Sequence, residues 1–330
     1  MNTTKKQRGK KYVGGALNNI FKNITKTIKR TIQQRTQKKR TYKMVCNPAS
    51  LEDPAHNTTC YTKSILIKIK DAYNKQHPEK RIQSNHPKQV VKELKTRLLP
   101  KCKKEDCWLN LLPKEQRDVL DKEVFAPDQP KEWADNPDEW LSNYDMINVL
   151  QQYEKSYPNF RFLGPTPIDF DTKMSNGKCV WEDICHFQLE KQKDKGVTDI
   201  AFIFNLDEHD KSGSHWTSMY LSIPHKTLFY FDSALNDMPK EVQVLVDRIT
   251  AQAKEIGVPL KFQKNVRQHQ YGNSECGMYA LFFIITLLTG KCGGLEKPIS
   301  FSKAINMFKC RQIQDKHVFE FRNKYFNANE

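Results

Sequence analysis

The chain has 330 residues, 54 of them lysine or arginine against 38 acidic residues, which gives a formal net charge of +16. This length is enough for one large domain with its own hydrophobic core, or for a catalytic domain with an accessory one. The longest strongly apolar run, Tyr279 to Leu288, is about half of what a bilayer-spanning helix requires, and the N-terminus has no apolar signal core. We therefore expect no transmembrane segment and an intracellular location.

The positive charge is concentrated at the N-terminus. Residues 1–51 contain 14 basic residues and no acidic one, so the remaining 40 basic residues nearly balance the 38 acidic ones. We expect residues 1–44 to form a basic, flexible arm, because their composition cannot bury enough apolar surface to order itself. Apolar residues from Leu17 to Ile28 also recur at helical spacing. DNA binding through residues 1–43, or a helix on a membrane surface or partner protein, are therefore alternatives to a merely solvated arm.

Residues 45–130 have a charged, helical pattern and are interpreted as an accessory helical region. Helices are expected at Ser64 to Tyr73 and at Pro87 to Leu98. The chain has nine cysteines, an odd and scattered set, which favours free thiols in a reducing compartment. The four cysteines of this region match no compact zinc-ligand spacing. They are Cys46, Cys60, Cys102 and Cys107. We expect neither a metal nor a cofactor.

Residues 131–330 carry the signals of an α+β catalytic domain. A helix capped by Ser142 or Asn143 is expected to run to about Tyr157, followed by an extended segment. Strands are then predicted at Val197–Asn205, His215–Ile223, Thr227–Asp232 and Val258–Val266, with a helix at Lys240–Ile256. A second helix begins at Cys276 and is apolar on all sides, which is typical of a buried central helix.

Cys276 is the candidate nucleophile. A cysteine attacks as a thiolate, and the positive end of a helix dipole stabilises that anion. Because Cys276 stands where a helix begins, the sequence places it in such a field, although Glu275 beside it would oppose the effect slightly. A buried cysteine chosen for its small size is the alternative if Cys276 is considered alone.

Three other residues complete a catalytic constellation. His215 begins one predicted strand and Asp232 ends the next, 17 residues later, so a hairpin could place the imidazole beside the carboxylate. Gln270, six residues before Cys276, could donate its side-chain amide to an oxyanion. His209 and His269 are alternative histidines close to these segments.

The phrases GSHW, YFDS and QYGNSECGMY resemble the superfamily of adenovirus protease and the SUMO (ubiquitin-like) proteases, in which His-Trp, an acid or amide, Gln and Cys-Gly follow in this order. The 17-residue and six-residue intervals also match. Within the superfamily, NLDEHDKSGSHW and RQHQYGNSECG look most like the thiol proteases of large DNA viruses, such as African swine fever virus. The resemblance is good from about Trp140 to Leu288.

This resemblance implies a papain-like core, with the cysteine on a central helix that faces a mixed sheet. It implies a protein substrate cleaved after Gly-Gly, which passes an aromatic-walled tunnel formed by Trp216 and Trp140. Asn143 stands where a family motif begins an Asn/Asp pair, but Tyr144 intervenes before Asp145. The viral character of the motifs favours processing of structural polyproteins in the host cytoplasm (viral factory) and in the virion.

Several alternatives stay open from the sequence. The same triad could remove SUMO or ubiquitin from host proteins, or it could transfer acetyl groups. A virion or nucleic-acid-binding protein without activity is a further alternative. Gly14-Gly15 in the arm also offers a site at which the enzyme could trim itself.

Overall fold

The computed structural model describes residues 44–52, 58–99, 101–292 and 297–328. The basic arm, with its predicted helix and its Gly14-Gly15 site, lies outside these residues. Residues 44–330 group into one compact unit. Among the helices in the described part of the chain, none combines the length and apolar character needed to cross a membrane.

A five-stranded sheet lies at the centre of this unit, with its strands in the order in which they occur along the chain. The outer pairs β1/β2 and β4/β5 are parallel, and the inner pairs are antiparallel, so the sheet is mixed. The strands are β1 (Phe160–Pro167), β2 (Asp199–Asn205), β3 (Trp216–Ser222), β4 (Thr227–Phe231) and β5 (Lys261–Lys264).

Helices cover both faces of the sheet, which explains why β2, β3 and β4 are almost continuously buried. The helices from the accessory region onwards are α1 (Lys63–Gln76), α2 (Pro87–Leu98), α3 (Lys114–Val124), α4 (Asn143–Ser156), α5 (Glu182–Cys185) and α6 (Leu189–Asp194). They are followed by α7 (Lys240–Glu255), α8 (Cys276–Thr289), α9 (Phe301–Cys310), α10 (Asp315–Phe319) and α11 (Arg322–Tyr325). Helix α8 packs against β3 on one face, and α7 covers the other.

The expected α+β architecture is confirmed, with a central mixed sheet and Cys276 at the first position of a buried helix. The helix predicted from Ser142 or Asn143 begins with a capping box, in which Ser142 is the cap and Asp145 closes the box. The extended segment after it is strand β1, which pairs with β2 in parallel. Three short C-terminal helices, α9 to α11, were not predicted.

The accessory region consists of α1 to α3 with short 3-10 turns, as its helical pattern predicts. Tyr61 is fully buried there, stacks on Trp108 and meets Phe125 edge-on. The buried Glu105 accepts from the Thr59 hydroxyl and from the backbone amide of Cys60. This small core gives the region packing of its own.

Asn327 joins the two ends of the described unit. Its side chain accepts from the Val45 amide at 2.7 Å and donates to the Val45 and Ala126 carbonyls at 3.0 and 2.8 Å. Its backbone amide also donates to Pro127 O at 2.7 Å. The accessory region is therefore tied to the segment that follows α11.

The expectation of free thiols is wrong for six of the nine cysteines. The structure pairs Cys46 with Cys60, Cys102 with Cys107, and Cys179 with Cys185, leaving Cys276, Cys292 and Cys310 free. The paired residues are separated by 14, 5 and 6 positions, so local turns of the chain bring them together. Sequence spacing alone does not reveal such turns.

Candidate active site

His215 and Asp232 meet at one edge of the sheet because their strands are antiparallel neighbours. His215 directly precedes β3 and Asp232 directly follows β4, with Ser218 opposite Phe231 in the register. His215 Nε2 lies 2.6 Å from Asp232 Oδ1. The structure thus brings together the two residues that the hairpin argument paired.

The Asp232 carboxylate is buried and accepts further hydrogen bonds. Oδ1 accepts from the Ala234 amide at 2.9 Å, and Oδ2 accepts from the backbone and side-chain nitrogens of Asn236, both at 3.0 Å. These hydrogen bonds fix the direction of the carboxylate. Asp232 therefore presents a fixed acceptor to the imidazole.

Cys276 is the second residue that acts on the same imidazole. The Cys276 thiol is close enough to His215 to raise the pKa of the ring. Since Nε2 faces Asp232, Nδ1 is the ring nitrogen that remains for this contact. Burial disfavours the imidazolium, but the hydrogen bonds and charges of Asp232 and Cys276 outweigh it and raise the pKa of His215 to about 10. The charged form of His215 is therefore favoured.

The surroundings of Cys276 suit an anionic sulfur. The residue is buried at the N-terminus of α8, where the helix dipole stabilises negative charge. Glu275, which could oppose that effect, is itself buried in an ion pair with Arg322. Its negative charge is therefore compensated locally.

Gln270 is buried in the loop that leads to Cys276. Its Oε1 accepts from the Ser233 hydroxyl at 2.7 Å, and its Nε2 donates to Gly272 O at 3.0 Å. An amide nitrogen carries two hydrogens, and the contact with Gly272 accounts for one of them. The amide is thus oriented by the residue next to Asp232.

Trp216 and Leu141 lie against the start of α8. Trp216 Nε1 donates to Leu141 O at 3.2 Å. A Cβ atom added at Gly277 would lie 3.1 Å from Leu141 Cβ and 3.4 Å from Trp216 Cδ1. Glycine after the cysteine therefore allows this close approach.

Trp140 and Asn143, the other predicted substrate-binding residues, belong to the same stretch of chain. The Trp140 side chain is 41% exposed, next to Leu141. Asn143 is the first residue of α4, and its Oδ1 accepts from the Tyr144 amide at 3.0 Å. The Asn143 side chain is thus used at the helix start, and Asp145 serves as the partner of Ser142 in the capping box.

Residues 186–330 match the sequence model of the Ulp1 protease family, C-terminal catalytic domain. Residues 186–330 are therefore a Ulp1-like peptidase domain. Among its relatives, a protein of Acanthamoeba polyphaga mimivirus named as a thiol protease is 26% identical over 272 residues, covering 75% of this chain and 85% of the relative. A cysteine protease of African swine fever virus is 24% identical over 196 residues, covering 56% of this chain and 67% of the viral protease.

A crystal structure of an African swine fever virus protease has the same fold as this peptidase. The two chains are 19% identical, with a TM-score of 0.54 over 87% of this chain and 98% of the viral protease. The family match and the names of the relatives together identify this chain as a cysteine-type peptidase. The matched range includes His215, Asp232, Gln270 and Cys276 but not Trp140 or Asn143.

The two alternative histidines have other roles in the peptidase. His269 is fully buried, its Nε2 donates to Phe308 O at 2.8 Å, and its Nδ1 accepts from the Ile313 amide at 3.1 Å. Burial lowers the pKa of His269, which favours its neutral form. His209 lies in an exposed loop and pairs with Asp169 at 2.5 Å.

Several residues that support the site were missed by sequence reasoning. Asp315, at the start of α10, accepts from the Tyr271 and Gly272 amides and from the Tyr279 hydroxyl. Asn265 brackets Asp232 by accepting from its amide at 3.1 Å and donating to its carbonyl at 2.7 Å. Both residues are distant in sequence from the groups they hold, and no motif marks them.

Proposed function

We propose that the protein is a cysteine endopeptidase that cleaves after Gly-Gly-type sites, with Cys276 as nucleophile, His215 as general base and acid, and Asp232 as its orienting partner. The observation that carries this proposal is the placement of His215, whose Nε2 lies 2.6 Å from Asp232 Oδ1 and whose ring is also influenced by Cys276. A base held between a nucleophile and a third group is the arrangement that covalent catalysis by a thiol requires.

The reaction has two halves. The Cys276 thiolate attacks the carbonyl carbon of the second glycine, and the negative charge that develops on the oxygen is stabilised by the Cys276 amide and the Gln270 side chain. His215 then gives its proton to the leaving amine, the C–N bond breaks, and a thioester remains. Water, deprotonated by His215, hydrolyses the thioester and regenerates the thiolate.

The close contact at Gly277 supports selectivity for glycine. Leu141 and Trp216 approach the start of α8 so closely that a single added Cβ at Gly277 would be crowded. A substrate that threads this region to reach Cys276 is favoured when its own residues lack side chains. Trp140 and Trp216 are proposed to flank that path.

We propose that the natural substrates are viral structural polyproteins, cleaved in the viral factory and in the virion. The similarity to viral proteases from two large DNA viruses supports this assignment. A second candidate is removal of ubiquitin-like proteins, because African swine fever virus relatives are named as SUMO-1 cysteine proteases, for example one that is 24% identical over 196 residues. The peptidase family match favours both over acetyl transfer or a protein without activity.

Cleavage profiling would test the proposal. Wild-type protein and Cys276→Ala would be incubated with a Gly-Gly-X peptide library and with SUMO and ubiquitin precursors. We expect the wild type to cut library members after Gly-Gly and Cys276→Ala to cut none. Faster cleavage of a ubiquitin-like precursor than of any library peptide would instead support the second candidate. Full activity in Cys276→Ala would contradict the assignment of the nucleophile.

A further inference from the structure

The side chain of Arg322 is buried beneath the residues that precede Cys276. Its Nε donates to Glu275 Oε2 at 3.2 Å, and its Nη2 donates to Glu275 Oε1 at 2.8 Å and to Ser274 O at 3.4 Å. Glu275 is the residue directly before the nucleophile. A two-pronged pair with a carboxylate fixes direction as well as charge, so Arg322 holds the chain at the entrance to α8.

The same guanidinium also holds a second stretch of chain. Nη1 donates to Pro137 O and to Glu139 O, both at 3.0 Å. Together with the bonds to residues 274 and 275, these contacts use all five N–H donors of an arginine. The guanidinium carbon lies 4.2 Å from the ring centroid of Trp133, whose Nε1 donates to Glu139 O at 3.0 Å.

The two stretches joined by Arg322 meet again at the active site. Residues 137–139 lead to Trp140 and Leu141, which we call the Trp140–Leu141 wall, and residues 274–275 lead to Cys276. Leu141 packs against Gly277 and receives the Trp216 indole N–H. The wall is therefore fixed by Arg322 on one side and by α8 and Trp216 on the other.

We propose that Arg322 is a positioning residue that sets the distance between the Trp140–Leu141 wall and Cys276, and thereby controls how a peptide backbone reaches the thiol. The role rests on the proposed peptidase function of Cys276. Lysine cannot replace arginine here, because an ammonium offers three donors from one point and cannot span two backbone stretches as a planar fork does.

The test compares peptide cleavage with the reactivity of the thiol itself. In Arg322→Lys we expect kcat/KM for a Gly-Gly peptide to fall by about tenfold or more, because small misplacements of a substrate are costly. The rate at which iodoacetamide alkylates Cys276 would be followed by mass spectrometry of the peptide that contains this residue. In Arg322→Lys this rate should stay within about twofold of the wild-type rate, since so small a reagent reaches the thiol without being positioned by the Trp140–Leu141 wall. Circular dichroism and Tm would check that the variant is folded.

Arg248→Lys is a matched control. Arg248 forms a comparable two-pronged pair with Asp171 at 3.0 and 3.2 Å and donates to Ile184 O, but it lies on α7 across the sheet. The kcat/KM of Arg248→Lys should stay within about twofold of the wild-type value. Unchanged cleavage in Arg322→Lys, or a parallel loss of cleavage and alkylation, would contradict the positioning role.

Trp133→Phe serves if Arg322→Lys does not fold. This variant keeps an aromatic ring on the guanidinium and removes one hydrogen bond to Glu139 O, so we expect about a two- to fivefold loss of kcat/KM with unchanged alkylation. Equal cleavage by Trp133→Phe and wild type would then overturn the inference. A wild-type enzyme that cuts no peptide, or a Cys276→Ala protein that still does, would instead contradict the proposed peptidase function.

Discussion

His215 Nε2 lies 2.6 Å from Asp232 Oδ1. The Asp232 carboxylate also accepts hydrogen bonds from the backbone amides of Ala234 and Asn236, which hold it in place. The imidazole therefore cannot turn without breaking a bond to a fixed partner. The same contact, with that to Cys276, overcomes burial and raises the pKa of His215 to about 10.

The pH profile should report this contact. The stabilisation of charged His215 is fully present below about pH 6.5, the pKa of an unperturbed histidine, and is lost as pH rises through about 10. We expect wild-type kcat/KM to decline near pH 10 on the alkaline side. In Asp232→Asn the decline should move to lower pH, and kcat should fall by about 10²- to 10⁴-fold.

Asp169→Asn is the control for this profile. Asp169 pairs with the exposed His209 at 2.5 Å, away from the proposed triad. Its loss should leave kcat/KM unchanged at every pH. An alkaline limit that is identical in wild type and Asp232→Asn would show that Asp232 does not set the pKa of His215.

Gln270→Ala should slow acylation while leaving the thiol reactive. We expect kcat to fall by about 10²- to 10³-fold, as for the loss of other oxyanion donors, with little change in alkylation of Cys276. Single-turnover cleavage would measure the acylation step. Gln243→Ala, which removes an exposed glutamine on α7, is the control and should behave as wild type. Wild-type acylation in Gln270→Ala would remove Gln270 from the oxyanion site.

Asn327→Ala should lower the free energy of unfolding. Its buried side chain makes three hydrogen bonds to Val45 and Ala126, and removing it leaves backbone groups without partners. We expect a loss of about 2 to 4 kcal/mol, measured by urea denaturation. Asn176→Ala, which removes an exposed loop asparagine, should change stability by less than about 0.5 kcal/mol. Equal midpoints for the two variants would contradict this role of Asn327.

We propose that residues 1–43 bind DNA, so their deletion should abolish salt-sensitive DNA binding and leave peptide cleavage intact. The arm carries 14 of the basic residues, and binding to phosphates weakens steeply as salt displaces such contacts. Fluorescence anisotropy with a DNA duplex at several salt concentrations measures the effect. Equal binding by the truncated protein would place the DNA contact in the body of the molecule.

Self-trimming after Gly15 is a separate prediction for the same arm. Active protein should lose residues 1–15 on storage, while Cys276→Ala keeps its full mass. Intact-mass spectrometry of the two samples decides it. An intact N-terminus in both the active protein and Cys276→Ala would contradict self-trimming.

Much of the fold could be predicted because its signals are local. Strands β2, β3 and β4 are short apolar runs bounded by turns, and α8 begins at Cys276 as its apolar pattern indicates. The proposed triad followed from the same signals, since two strands joined by a short turn bring their outer ends together. The order of histidine, aspartate, glutamine and cysteine along the chain then limited the number of residues that could form the active site.

The supporting contacts could not be predicted in this way. Glu275 and Arg322 are 47 positions apart in the sequence, and Asn327 and Val45 are 282 positions apart. Pairings of this kind depend on the completed tertiary structure and leave no periodic signal. The disulfides were missed for the related reason that the turns between paired cysteines are not regular elements.

The place of Arg322 in the chain also bears on when the enzyme becomes competent during synthesis. A ribosome makes Cys276 and its helix well before residues 322–327, which hold the entrance to that helix and fasten Val45. Domains fold as units once their residues have emerged. We therefore expect a nascent chain that has not yet exposed residues 322–327 to lack the Arg322 contacts at the entrance to α8.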